Sequence, residues 1–171
     1  MKYHKGASQV SRRRFLRAAS GLFLPSVRPN IVFILADDLG FGDLGCYNGP
    51  IATPNLDRLA QGGMKFTNAH SGGPVCSASR CTLLTGRYAQ RFGIPALASV
   101  IFPETKEGLP QGVYTLADLL GYQGYHTACV GKWHLGHNRP EYMPLLHGFR
   151  RYRGVPYSND MSPLPYYRDT E

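Results

Sequence analysis

The run Asn30-Ile31-Val32-Phe33-Ile34-Leu35-Ala36 is apolar without interruption from Ile31 onward and ends in two carboxylates, Asp37-Asp38. A strand with one wet face alternates apolar and polar residues. This run does not, so it predicts a strand covered on both faces. Strands of that kind sit in α/β architectures, where helices lie above and below the sheet. Helix and strand signals alternate along the rest of the chain and agree with that class.

Thr53 is placed to cap, and Pro54 to begin, a helix through Asn55-Leu56-Asp57-Arg58-Leu59-Ala60 that Gly62-Gly63 ends. Met64 to Ala69 reads as a short strand. A helix is expected from Cys76 to Thr85, stopped by Gly86, and another over Leu116-Ala117-Asp118-Leu119-Leu120, capped by Thr115 and closed by Gly121. Tyr125 to Val130 is the next expected strand. Residues 87–112 read as loop, and the stretch beyond Pro140 shows no clear periodicity.

The formal net charge of +8 does not describe the chain evenly. Residues 1–29 contain seven basic side chains (Lys2, Lys5, Arg12, Arg13, Arg14, Arg17 and Arg28) and no acid, whereas residues 30–171 carry twelve basic and eleven acidic ones. A basic excess confined to one end does not make a nucleic-acid surface, so no nucleic-acid partner is expected. Ser11-Arg12-Arg13-Arg14-Phe15-Leu16-Arg17 followed by the mostly apolar Ala18–Leu24 looks like a twin-arginine export leader over residues 1–29. The alternative is a disordered basic tail. The apolar part falls well short of the ~20 residues that span a bilayer, so no stable membrane span is expected. A leader of this kind implies the export machinery as a partner and a periplasmic or secreted destination.

Four cysteines, Cys46, Cys76, Cys81 and Cys129, form neither a C-x-x-C pair nor a zinc-like spacing. Cys46 and Cys129 are read as small packing groups rather than a bridge. Cys76 is different. In Cys76-Ser77-Ala78-Ser79-Arg80 it opens the expected helix, and Arg80 lies one turn on along the same face. The unpaired N–H groups of a first helical turn, with the helix dipole, favour negative charge beside that residue.

Two further groups of residues could join such a site. Asp37 and Asp38 lie at the end of the expected first strand, the edge at which open α/β sheets place ligands. Adjacent carboxylates suit a hard divalent cation, although alone such a pair is usually just solvated. Lys132 and His134 follow the strand around Ala128, and in extended chain positions i and i+2 project to one side. Alone, they would read as a surface lysine and a structural histidine.

Taken together, these segments resemble the sulfatase family. Asn30–Gly40, Thr53-Pro54-Asn55-Leu56-Asp57-Arg58-Leu59-Ala60, Cys76–Arg87 and Gly131–Gly136 match successive sulfatase blocks in order, and Gly154-Val155-Pro156-Tyr157-Ser158-Asn159-Asp160 is similar to a further block of the arylsulfatase branch. The resemblance implies an alkaline-phosphatase-like fold, a mixed sheet flanked by helices. Residues 30–171 are then expected to be the N-terminal portion of a sulfatase catalytic domain, since the family's later Asp-Asn metal pair and further sulfate-binding histidine and lysine belong to a downstream segment. That portion alone is expected to bind calcium weakly and to turn over no sulfate ester.

The resemblance also implies the chemistry. Cys76 becomes formylglycine (3-oxoalanine) through a maturation enzyme, and one hydroxyl of its hydrate attacks sulfur in a sulfate-ester small molecule or glycan. Asp37 and Asp38, with the modified Cys76, ligate one calcium ion. Arg80 holds the hydrate, Lys132 binds the sulfate or formylglycine oxygens, His134 drives the elimination that expels sulfate, and Ser158 contacts the sulfate. Ala78 stands where the commonest motif has proline, which bears on the maturation system that accepts Cys76. Two alternatives stay open at this stage: a related phosphomonoester or phosphonate hydrolase, and a non-catalytic fragment of a sulfatase. His4, His70, His126, His137 and His147 match no motif and are read as satisfied or solvated.

Overall fold

The computed structural model describes residues 28–171. The leader reading therefore lies, in residues 1–27, outside the described residues. These divide after Asp38 into residues 28–38 and the unit Leu39–Glu171.

In residues 28–38 the expected strand is not formed. Asn30–Ala36 has no regular secondary structure, and its apolar side chains are exposed, from 45% at Leu35 to 82% at Val32. Uniform apolarity states that a segment needs cover, whereas a strand needs partners for its backbone groups. Among the described residues no strand pairs with this one. The short strand expected over Met64–Ala69 is absent for the same reason, with Met64 and Phe66 exposed.

The unit Leu39–Glu171 forms its helices largely where expected. Helix α1 runs Pro54–Gly62, with proline in its first turn. Thr53 precedes it but does not cap it. Its hydroxyl instead donates to Asp57 Oδ1 at 2.9 Å and accepts the Gly45 N–H at 2.9 Å, while Asp57 Oδ1 also takes the Cys46 N–H at 2.7 Å. These bonds tie the Gly45–Tyr47 turn to α1. Helix α2 spans Cys76–Thr85 and stops at Gly86, whose φ of 65° is the left-handed conformation glycine adopts without cost. The expected loop after it contains a 3-10 turn, Ala89–Phe92, and the short helix α3, Pro95–Ala98. It also supplies a large part of the core, including the buried Leu97, Ile101 and Leu109. Helix α4, Leu116–Tyr122, opens with Thr115 and Asp118 in a reciprocal capping box and runs through Gly121 to a cap at Gln123.

The sheet has three strands, β1 Ala128–Val130, β2 Arg151–Gly154 and β3 Tyr167–Arg168. β1 and β2 are parallel with Cys129 opposite Tyr152, and β2 and β3 are antiparallel with Arg153 opposite Arg168. Pairing continues past the end of β1. Gly131 N–H donates to Arg153 O (2.8 Å), Trp133 N–H to Val155 O (3.0 Å) and His134 N–H to Pro156 O (2.9 Å). The two chains approach so closely that a Cβ on Gly154 would lie 1.9 Å from the Gly131 carbonyl oxygen, so only glycine fits. Among the described residues no helix is long and apolar enough to cross a membrane.

Beneath this ladder Trp133 is buried. Its indole N–H donates to Tyr142 O at 2.8 Å, and its ring stacks on His147 with centroids 5.8 Å apart. His147 is thus neither solvated nor at the surface, and burial lowers its pKa below the ordinary 6.5, against weaker opposing pulls from Asp118 and two backbone groups. Folded protein resists protonating this ring, while unfolded chain takes the proton below about pH 6.5. Stability should therefore be full above that pH and fall as pH drops through it, by at most ~1.4 kcal/mol for each pH unit. Urea midpoints at pH 7.5 and pH 5.0 should differ more in the wild type than in His147→Phe; equal pH slopes in the two would refute this.

Candidate functional site

Helix α2 presents Cys76 as its first residue. Val75 before it is extended and gives no side-chain cap, so the first-turn N–H groups face outward at the positive end of the helix dipole. Packing holds the opposite side of the helix. Ala78 and Cys81 are fully buried, and Ala78 lies so close under Gly73 that a Cβ there would come within 2.6 Å of its own. Ser79 Oγ donates to the Gly73 carbonyl at 2.7 Å, fixing the loop that enters Cys76. The four cysteines are all free thiols. Burial pushes Cys81 up to about 11, with a smaller opposing pull from Thr85, and does the same to Cys129, opposed by Arg80. Both stay protonated and inert. Cys76 is half-buried and heads the helix, a different environment.

One turn along, Arg80 Nη1 donates to the Lys132 carbonyl at 2.7 Å. This bond couples α2 to the segment that continues β1. Lys132 Nζ in turn donates to Ser158 Oγ at 3.1 Å, across the ladder that joins Gly131–His134 to Arg153–Pro156. Three segments far apart in sequence thus meet: the helix of Cys76, the glycine-flanked Lys132 and the loop of Ser158.

His134 is fully buried and departs from the extended geometry expected of it. Its φ is 63°, so the i, i+2 argument that would aim it alongside Lys132 does not apply. Nε2 lies 2.7 Å from the Ile101 carbonyl. A carbonyl only accepts, so Nε2 carries the hydrogen in this bond. The N–H of the same residue, Ile101, donates to Ser77 Oγ at 3.1 Å. The main-chain groups on the two sides of one buried residue therefore hold both the residue after Cys76 and the imidazole. Neither Ser77 nor Ile101 stood out in the sequence, because a backbone bridge leaves no side-chain signature.

Asp160 is another residue that the sequence did not single out for this site. It lies in the turn after Ser158, closed by the Met161 N–H on Ser158 O at 3.2 Å. Its pKa is lowered, first by a hydrogen bond from the Ser158 side chain, then by its own backbone N–H, with the charge of Lys132 adding to the effect. The other histidines are structural or solvated. His137 Nε2 meets the Pro103 carbonyl at 2.9 Å, His70 meets Asn68 Oδ1 at 2.8 Å, and His126 is exposed.

Asp37 and Asp38 lie in residues 28–38, both exposed, with Asp38 in the left-handed region at φ 59°. Adjacent hard oxygens at a sharp turn fit calcium or magnesium in kind, but supply only part of the six to eight oxygens calcium takes. Among the described residues no group of three or more His, Cys, Asp or Glu side chains is gathered to hold a metal ion.

A family model described as Sulfatase matches residues 29–171. Arylsulfatase A of Bos taurus is 48% identical over 151 residues, covering 86% of this chain and 29% of its own length. Steryl-sulfatase of Homo sapiens is 45% identical over 141 residues, covering 77% of this chain and 24% of its own. Among solved structures, a Bacteroides thetaiotaomicron protein described with the metabolism of multiple glycosaminoglycans superposes with a TM-score of 0.76 at 34% identity, over 82% of this chain and 31% of that one. A Pseudoalteromonas sulfatase gives 0.62 at 37% identity, over 72% and 25%. The chain thus spans less than a third of the length of these relatives, and its helices and small mixed sheet share the alkaline-phosphatase-like fold of its structural neighbours.

The Ile101 bridge is testable. Ser77→Ala would leave a buried N–H without its acceptor and should cost about 1–3 kcal/mol by urea denaturation. An unchanged midpoint would show that the bridge carries no weight.

Proposed function

The chain belongs to the sulfatase family, and on that premise we propose that the whole protein hydrolyses a sulfate ester to an alcohol or phenol and inorganic sulfate. The observation that carries the reading is the pair of hydrogen bonds from Arg80 to the Lys132 carbonyl and from Lys132 to Ser158, one turn from a cysteine at a helix mouth. Residues 30–171 supply the N-terminal portion of the catalytic domain.

Oxidised by a maturation enzyme to formylglycine, Cys76 supplies a hydrated aldehyde, whose one hydroxyl can attack sulfur while the other can later release sulfate. The positive end of α2 and the Arg80 guanidinium provide fixed positive charge beside that residue. Arg80 is held in place by the Lys132 carbonyl, so it need not reorganise as negative charge develops. Lys132, whose Nζ donates to Ser158, binds a sulfate oxygen with the same ammonium. His134, held in place by its Nε2 bond to the Ile101 carbonyl, drives the elimination that releases sulfate. Asp37 and Asp38, with the modified Cys76, would hold the calcium ion, which supplies Lewis-acid polarisation of the sulfate.

Relatives named for aryl, steryl and N-acetylgalactosamine-6 sulfates match this chain at similar identity, so the reading stops at the sulfate ester, small molecule or glycan. Residues 1–29 act as a twin-arginine leader, which places the protein in the periplasm or outside the cell.

Two measurements test the reading in the whole protein made with its maturation enzyme. Peptide mass spectrometry should find an aldehyde or its hydrate at Cys76, and Cys76→Ala should lower turnover at least roughly a thousandfold with an unchanged melt; unmodified cysteine with intact activity refutes the mechanism. Asp38→Ala should lose bound calcium and activity together, and a variant that keeps full metal stoichiometry would remove Asp38 from the metal site.

A further inference from the structure

His134 is held at two points. Its main chain belongs to the ladder, where the N–H donates to Pro156 O at 2.9 Å, and its ring meets the Ile101 carbonyl through Nε2 at 2.7 Å. Whatever sets the position of that carbonyl therefore helps to aim the ring. On one side the Ile101 N–H is held by Ser77 Oγ at 3.1 Å. On the other a turn follows at once, with Phe102 N–H on Thr105 Oγ1 at 2.9 Å and Thr105 N–H on Phe102 O at 3.0 Å. Ser77, Ile101 and His134 are each fully buried, so water does not compete for either bond of the bridge.

Ser77 adjoins Cys76 in the first turn of α2. We propose that Ser77 is a positioning residue for the reaction: by holding the Ile101 N–H it sets the Ile101 carbonyl, and so ties the aim of the His134 ring to the helix that carries Cys76. The inference rests on the sulfate-ester reading above. It divides the placing of His134 between two devices. The ladder locates its main chain, and the buried bridge to α2 locates its imidazole.

The two halves of the reaction depend on different groups. Capture of the anion and attack on sulfur draw on the helix mouth, Arg80 and Lys132, whereas release of sulfate draws on His134. Losing the bridge should therefore slow release and leave capture and attack nearly as they are. In that case kcat falls and KM falls with it, because enzyme accumulates ahead of the slowed step, and kcat/KM is preserved. A general loss of stability lowers the amount of folded enzyme and leaves KM alone.

The test uses the whole, matured protein with 4-nitrophenyl sulfate and a 6-sulfated hexosamine, well below the melt, with rates expressed per aldehyde found at Cys76 by peptide mass spectrometry. Ser77→Ala should lower kcat on the order of tenfold, with KM falling in step. Rapid mixing with the nitrophenyl ester should show a burst of nitrophenol before the slow phase. Ser77→Thr keeps the acceptor oxygen and should recover most of the loss. Ser77→Cys, whose sulfur accepts weakly, should show a smaller loss in the same pattern, and decides the matter if the alanine variant does not fold. As a control, Thr127→Ala removes another buried hydroxyl, bonded to the Gly148 carbonyl at 2.6 Å, and should lower the melt while kcat and KM stay at wild type. A wild-type kcat in the alanine and cysteine variants, a loss seen in kcat/KM, no recovery by threonine, or the same pattern in the control would overturn the proposal. A wild type that turns over neither substrate while carrying the aldehyde would overturn the sulfate-ester reading itself, and this inference with it.

Discussion

The backbone ladder that continues β1 beyond Val130 is the constraint on which the site depends. Hydrogen bonds from Gly131, Trp133 and His134 to the carbonyls of Arg153, Val155 and Pro156 lay two loops side by side. No side chain could bring Lys132 to Ser158 without that register. The ladder in turn depends on the absence of a side chain at Gly154, where a Cβ would strike the Gly131 carbonyl. Packing below it is equally specific, with Trp133 held by its indole N–H and by the His147 ring. Backbone pairing, sterics and aromatic packing all converge on four residues, Gly131 to His134.

Local signals were the legible ones. Pro54 at a first turn, Gly86 after α2, and Thr115 with Asp118 at α4 each act within a few residues, and the structure has them in place. The glycines at 131 and 136 were also readable: both have a positive φ, and Gly136 also approaches the Gly108 backbone closely. Non-local demands were not readable. The run from Ile31 to Leu35 states its need for cover, but pairing depends on partners that its own residues do not encode. Strand β2 shows the converse. In Arg151-Tyr152-Arg153-Gly154 only Tyr152 is a large apolar residue, so a true alternation of exposed and buried positions left too faint a pattern.

The site itself was half legible. Side chains with their own chemistry (Cys76, Arg80, Lys132, His134 and Ser158) could be named from spacing and resemblance. Supporting groups could not. Arg80 is fixed by a main-chain carbonyl, and His134 and Ser77 by the C=O and N–H of one residue, Ile101. Tyrosines in the tail illustrate the same limit. Their aromatic faces could have served a substrate ring, yet Tyr152 and Tyr167 stack on each other at 6.4 Å and Tyr157 packs on His137.

The double tether at Ile101 has a consequence for how this region tolerates change in length. Residues 87–112 have the weak pattern of a connecting loop, and such loops ordinarily absorb insertions and deletions. Here the N–H of residue 101 answers to the serine beside the cysteine, and its C=O answers to the imidazole. Adding or removing one residue on either side would put a different residue, with its N–H and C=O differently directed, between the two. This stretch therefore behaves as a gauge block whose length sets a spacing, and its evolutionary drift should run through substitutions while the residue count stays constant.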